Sequence, residues 1–452
     1  MPYKRTALLG CAFALLVLPG PFALAREDAD SAPMTRKEFL QLLQQNQQLQ
    51  QQVQQQQQTI ESLSKKVSAL ESRNAQTTGN PSPQTAASTR PEEQPLPDTT
   101  SSSTFHFGKL DIGGEGGVAF FKSPPSGQFP HSTFRIDEAR LFLDAPIWGD
   151  IYFYSELDLA QRETTSLALN VGELYLDFES ISKLWGNEEM LNARAGRFYI
   201  PFGEEYQYRF AIDNPLISHS VSDIWGTDDG VEIYGKLGPA HYAVAVQNGG
   251  EVTSQSLQGD KSVSGRIGAD PTKWLHVSAS AMRTGELNVK NGTSAIWFGN
   301  GWFHSIGSHS TTSFHANLVE GDAVFRLPST LIRAAGGYVN YNDNDPLANN
   351  NRDIYYYYLE ATHDWTHSLY SAVRWSQVLA HKGYTIVGAG NMAEYGFQEL
   401  TKDYWRLSLG LGYRFSQNMV VKGEYSFNQG SEIDGTFRDE ENQFALEAAF
   451  KF

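Results

Sequence analysis

Between Gly203 and Asp229 of this 452-residue sequence, Glu204, Glu205, Asp213, Asp223, Asp228 and Asp229 face a single base, Arg209. Carboxylates gathered at a narrow, low-dielectric opening attract cations and repel anions, which is field chemistry rather than bond-making chemistry. Five bases further along, Arg266, Arg374, Arg406, Arg414 and Lys422, alternate with apolar neighbours and read as one inward-facing set. Each is expected either to pair with an acid on a neighbouring strand or to join a basic wall opposite the acids. His363 and His367 have the i, i+4 spacing of a helical zinc pair, but Asp364 and Trp365 replace the glutamate such a site needs, and the segment reads as a turn. His304, His309 and His315 accompany Trp297, Phe298, Trp302 and Phe303, which reads as a loop returning through an interfacial aromatic girdle. No Ser, His or Asp spacing singles out a nucleophile and its base. The expectation is therefore no enzyme, no metal and no cofactor.

Such side chains need elements to hold them, and the pattern between 105 and 452 is two-faced strand. Phe444, Leu446, Ala448, Phe450 and Phe452 alternate with Gln443, Ala445, Glu447, Ala449 and Lys451. The stretch 405–415 sets Trp405, Leu407, Leu409, Leu411, Tyr413 and Phe415 against Arg406, Ser408, Gly410, Gly412 and Arg414, and 151–159 alternates in the same way. A soluble sandwich would share this alternation. It would not share charged inward faces combined with connections that alternate short and long. Short turns fall near 146–150, 179–190, 238–240, 270–273, 327–330, 364–368 and 415–418. Long loops fall near 122–132, 161–167, 203–229, 248–261, 283–313, 340–353, 379–403 and 428–441. These predict an all-β fold, a 16-stranded antiparallel transmembrane barrel with both ends on the short-turn side, wide enough for an aqueous channel. The 40 glycines and a hydrophobic share of only 40% fit a wet interior better than a large apolar core.

The amino-terminal quarter is different. Lys4 and Arg5, an apolar run from Ala7 to Leu18 and Ala23-Leu24-Ala25 read as a secretory signal over 1–25. The only cysteine, Cys11, falls inside it, so no disulfide is expected. No later run of about 20 apolar residues supplies a spanning helix. A heptad register then places Phe39, Asn46, Val53, Ile60 and Val67 at a, with Leu42, Leu49, Leu63 and Leu70 at d, predicting a short coiled coil over 34–73 that begins at a Thr35–Glu38 capping box. Residues 74–104, rich in Pro, Ser and Thr, read as a disordered linker, leaving 105–452 for the barrel. Residues 1–104 hold equal numbers of acids and bases, so the whole net charge of −16 falls on the barrel, which disfavours nucleic acid as a partner.

Two segments carry a family resemblance. Ala193-Arg194-Ala195-Gly196-Arg197-Phe198-Tyr199-Ile200-Pro201-Phe202-Gly203, running into a long third loop and followed by Gly230-Val231-Glu232-Ile233-Tyr234-Gly235, resembles the phosphate-selective porin O/P family, as does Phe134-Arg135-Ile136-Asp137-Glu138-Ala139-Arg140-Leu141. The resemblance implies a homotrimeric outer-membrane porin whose third loop folds inward, in some members with a coiled coil before the barrel. Asp137 and Glu138 stand where anion-selective members carry bases, so phosphate preference does not transfer with the fold. A terminal aromatic such as Phe452 resembles the insertion signal read by the barrel assembly machinery. The expected function is a water-filled channel in the outer membrane of a Gram-negative bacterium, in contact with its lipid and passing small hydrophilic solutes or ions, with the coiled coil in the periplasm. The alternatives are a phosphate- or sugar-specific channel and an anchor to the cell wall.

Overall fold

The computed structural model describes residues 105–162, 169–186, 188–249, 260–287, 296–299, 301, 314–342, 349–386 and 400–452. The expected signal, coiled coil and linker lie outside the described residues.

Alternating side chains make strands because successive Cβ atoms point to opposite faces. The strands are β1 (Phe105–Phe107), β2 (Leu110–Lys122), β3 (Thr133–Trp148), β4 (Ile151–Ala160), β5 (Asn170–Phe178), β6 (Asn192–Tyr199), β7 (Thr227–Leu237), β8 (Ala240–Gln247) and β9 (Ser262–Thr272). They continue with β10 (Leu275–Arg283), β11 (Ala316–Leu327), β12 (Thr330–Tyr341), β13 (Arg352–Asp364), β14 (Leu369–Tyr384), β15 (Thr401–Ser416), β16 (Met419–Glu432), β17 (Phe437–Arg438) and β18 (Gln443–Lys451). Sixteen of them, β2 to β16 and β18, form the wall by antiparallel pairing with the next strand along the chain. Closure is made by β18, which pairs Leu446 with Gly423 of β16 on one side and with Phe120 of β2 on the other. The backbone of Phe452 exchanges two hydrogen bonds with Gly114, at 3.0 and 2.8 Å. Strand β1 folds back on β2, so the first barrel strand starts at Leu110.

The two faces of the wall differ as a bilayer requires. On β18, Phe444, Leu446 and Phe450 are exposed while Gln443, Ala445, Glu447 and Ala449 are buried. On β15, Leu409, Leu411, Tyr413 and Phe415 are exposed and Arg406 and Ser408 are buried. Trp148, Trp185, Trp274 and Trp365 are all exposed at the short-turn end, where amphipathic rings mark the water–lipid boundary.

The interior departs from the wet lumen that composition suggests. Asp137, Ser376 and Ser408, inward-facing on three separate strands, are each 0% exposed. Toward the long-loop end, Val339, Ile354, Val378 and Ala380 of the wall pack in one cluster with Phe202, Val221 and Ile224 of the chain between β6 and β7. Trp297 and Phe298 are buried too, with the Phe298 ring 5.8 Å from Tyr356 and 5.1 Å from Tyr384, so these two aromatics fill the barrel instead of forming a girdle. The reason is local: in Ile354-Tyr355-Tyr356-Tyr357-Tyr358-Leu359 both faces are apolar or aromatic, so alternation alone does not mark the inner face as dry.

Candidate functional site

The chain leaves the wall between β6 and β7 and packs inside the barrel. Strand β6 stops at Tyr199 and β7 starts at Thr227, which it faces in register, so residues 200–226 form the connection. Asp228 and Asp229, read from sequence as loop, belong to β7. Gly203 turns the chain inward at φ +66, and a Cβ there would lie 2.3 Å from Glu320 Oε1, so the turn requires glycine twice over.

An irregular chain inside a barrel carries backbone polar groups that no ladder satisfies. Here the inward charges of the wall satisfy them. The Lys422 ammonium donates to the carbonyls of Ala211 (2.6 Å), Asn214 (3.1 Å) and Leu216 (3.0 Å). Arg374 donates to Ser218 O at 2.7 Å, Arg406 to His219 O at 3.2 Å and Arg266 to Gly203 O at 2.7 Å. Amide donors meet acids: Ala211 N–H donates to Glu138 (2.7 Å), and the amides of Ile217 and Ser218 donate to Glu424. Four of the five predicted inward bases therefore hold the connection. Each of two also pairs with a wall acid, Arg374 with Glu360 and Lys422 with Glu447 at 2.6 Å. Arg414 differs: it pairs with exposed Asp364 at 2.7 Å near the short-turn end, away from the connection.

Most of the acidic cluster is neutralised. Asp223, in a left-handed backbone at φ 36, meets Arg209 at 3.2 Å and His219 at 3.2 Å. Burial works to raise the Asp223 carboxyl, yet Arg209 and His219 hold it below the usual carboxylate range. Burial lowers the His219 ring below its ordinary value, the Asp223 charge opposing. Glu205 accepts from the Ser220 amide (2.8 Å) and hydroxyl (2.5 Å); burial pushes it up to about 6 against the pull of Arg374. Glu204 meets His276 at 2.7 Å, Asp229 meets Arg197 at 2.8 Å, and Asp228 accepts from the Gly249 amide at 2.6 Å. Asp213 alone of the six is exposed.

Two pockets flank the connection, of about 360 and 450 Å³ counted to their open mouths. Glu138, Arg140, Glu156, Asp158, Tyr199 and Phe210 line the first; Phe121, Phe129, Ser218, Asp223 and Arg406 are among those lining the second. Arg162 and His219 belong to both, so their 3.3 Å contact partitions them. Arg162 also binds Asp137 (2.6 Å) and the Ile217 carbonyl. Sequence reasoning passed over Arg162, Glu138 as an amide acceptor, and Glu424. Arg162 sits in the long loop read near 161–167, with no motif around it, whereas Glu424 was legible as an inward acid two residues from Lys422.

A closed sixteen-stranded antiparallel barrel with an apolar outer surface and its third long connection folded inward is a transmembrane β-barrel fold. Among the solved structures to which the chain is similar in fold are OmpT, an outer membrane protein of Vibrio cholerae, with TM-score 0.52 and 12% identity over 78% of this chain and 100% of that one, and the outer membrane channel DcaP of Acinetobacter baumannii, with TM-score 0.50 and 15% identity over 76% of this chain and 97% of that one. No protein-family model and no curated protein matches the sequence.

Proposed function

We propose that this chain forms an outer-membrane channel for passive diffusion of small hydrophilic solutes and ions, with no covalent step, and that residues 200–226 are its constriction. The observation that carries this reading is an irregular chain held across a lipid-embedded barrel by inward charges. Non-helical backbone at membrane depth is tolerated only where it is buried in protein or lines a watery cavity, and both conditions meet along the connection. Solute passes through the two pockets, the first beside β3 and β4 and the second beside β2, β15 and β18, across the Arg162–His219 contact that both share.

Selectivity on this reading is weak. The first pocket sets Glu138, Glu156 and Asp158 against Arg140, Arg162 and Arg209, and three of the six acids counted in sequence, Glu204, Asp223 and Asp229, are paired with bases. Exposed Asp213 adds a mild preference for cations. The resemblance to the phosphate-selective porin O/P family supports a homotrimer with its coiled coil in the periplasm, positioned to tether the cell wall. Planar-bilayer recording tests the proposal. Steady conductance with a cation-to-anion permeability ratio modestly above one supports it, saturation by phosphate favours the specific channel, and no conductance favours the anchor.

A further inference from the structure

Glu204, His241 and His276 offer three ligand atoms that lie within 4.8 Å of one another, on three different parts of the chain. His241 belongs to β8 and His276 to β10, with β9 between them. Strands two apart in a sheet are separated by roughly 9.5 Å, so side chains on them do not ordinarily touch. These two rings nonetheless stack with centroids 5.2 Å apart and an interplanar angle of 11°. Gly268, which faces His241 across the β8–β9 ladder, makes this possible: a Cβ there would stand 2.3 Å from His241 Nε2. A glycine inside a strand that admits a side chain from its neighbour marks a place where close approach is built in.

The second coordination layer is present as well. His276 turns Nε2 toward Glu204 Oε1 at 2.7 Å and Nδ1 toward Asp270 Oδ1 at 3.1 Å. A carboxylate behind the outer nitrogen of a histidine is the arrangement that orients metal-binding imidazoles and raises their basicity. The His241 ring makes no hydrogen bond to the described residues, so its nitrogens are available to an ion. Glu204 and His276 are buried and His241 is half-buried, which leaves one side of the cluster open for water as a further ligand.

We propose that Glu204, His241 and His276 bind one first-row divalent transition ion, of which Zn²⁺ is the reference, and that the ion ties the connection to the wall. Two imidazoles and a carboxylate suit Zn²⁺, leaving a fourth position for water. Bonds of about 2.0–2.1 Å set ligand atoms roughly 3.3 Å apart in a tetrahedron, so the widest pair closes by at most about 1.5 Å, within side-chain rotation. The ion replaces the proton that Glu204 and His276 share, so binding releases a proton and weakens in acid. Because Glu204 directly follows the inward turn at Gly203, the ion bridges connection, β8 and β10.

The test is Zn²⁺ titration of the folded full chain in detergent by calorimetry, with Co²⁺ absorption reporting the coordination geometry. One ion per chain is expected. H241A is expected to weaken binding at least about ten-fold, G268A to do the same by displacing the ring, and E204Q to weaken it while the barrel stays intact; D270N should lose about ten-fold or more through the outer carboxylate. H241A removes a ring without hydrogen bonds to the described residues, so its barrel folds, as the heat-modifiable gel shift verifies. Absence of a saturable single site, or wild-type affinity in H241A, overturns the proposal.

Discussion

Lys422 shows how one residue's role depends on what it touches. Its ammonium is fully enclosed, meets Glu447 at 2.6 Å and satisfies three carbonyls of the connection. Lys422→Met preserves length and removes every one of these bonds, leaving Glu447 with Arg162 at 3.5 Å as its remaining cationic partner. Removing one partner of a buried ion pair costs about 3–5 kcal/mol, so the unfolding midpoint of the barrel should fall clearly in urea; an unchanged midpoint would mean the ammonium is solvated instead. Glu205 supplies a pH dependence. Its carboxyl is raised to about 6 in the folded chain, so the packed connection binds a proton more readily than the free one. The resulting stabilisation is complete below the ordinary carboxylate value and is lost as pH rises through about 6. Openings of the connection should therefore be rarer at pH 5 than at pH 7.5 in single-channel records, and Glu205→Gln should abolish the difference. At this scale the sequence was partly legible. It marked Arg266, Arg374, Arg406 and Lys422 as inward, because charge alternating with apolar residues has a direct spatial meaning. It did not show that they grip backbone, since their partners are carbonyls, which every residue has.

The wall was legible at the scale of elements because a period of two survives in each strand and the connections alternate in length. Boundaries shifted where strands run past the lipid: β14 continues to Tyr384 and β16 to Glu432, each beyond the loop starts near 379 and 428 read from sequence. The connection's path was not legible, because the lysine that anchors it lies 206 to 211 residues further along the chain. Its packing makes a direct prediction about access. Asp213 is exposed within the connection while Ser220 is 0% exposed. A cysteine at 213 should react rapidly with a charged, membrane-impermeant thiol reagent, and a cysteine at 220 should be protected until the barrel is unfolded. Equal rates at both positions would mean the connection is not packed against the wall.

At the scale of the whole molecule, the barrel's closure, apolar belt and filled lumen define one object. It is a wall built to span lipid, with its own chain folded across the opening. Closure removes every sheet edge, and the inner charges are spent mostly on one another and on the connection, so formal counts overstate the field a solute meets. On the proposed function, residues 200–226 set the flow through the lumen. Single-channel conductance in planar bilayers, compared between the wild-type barrel and one with residues 204–225 replaced by a short Gly-Ser bridge, tests it most directly. A small wild-type conductance and a several-fold larger one for the bridged barrel are expected. Equal conductance in two equally well-folded barrels would contradict it.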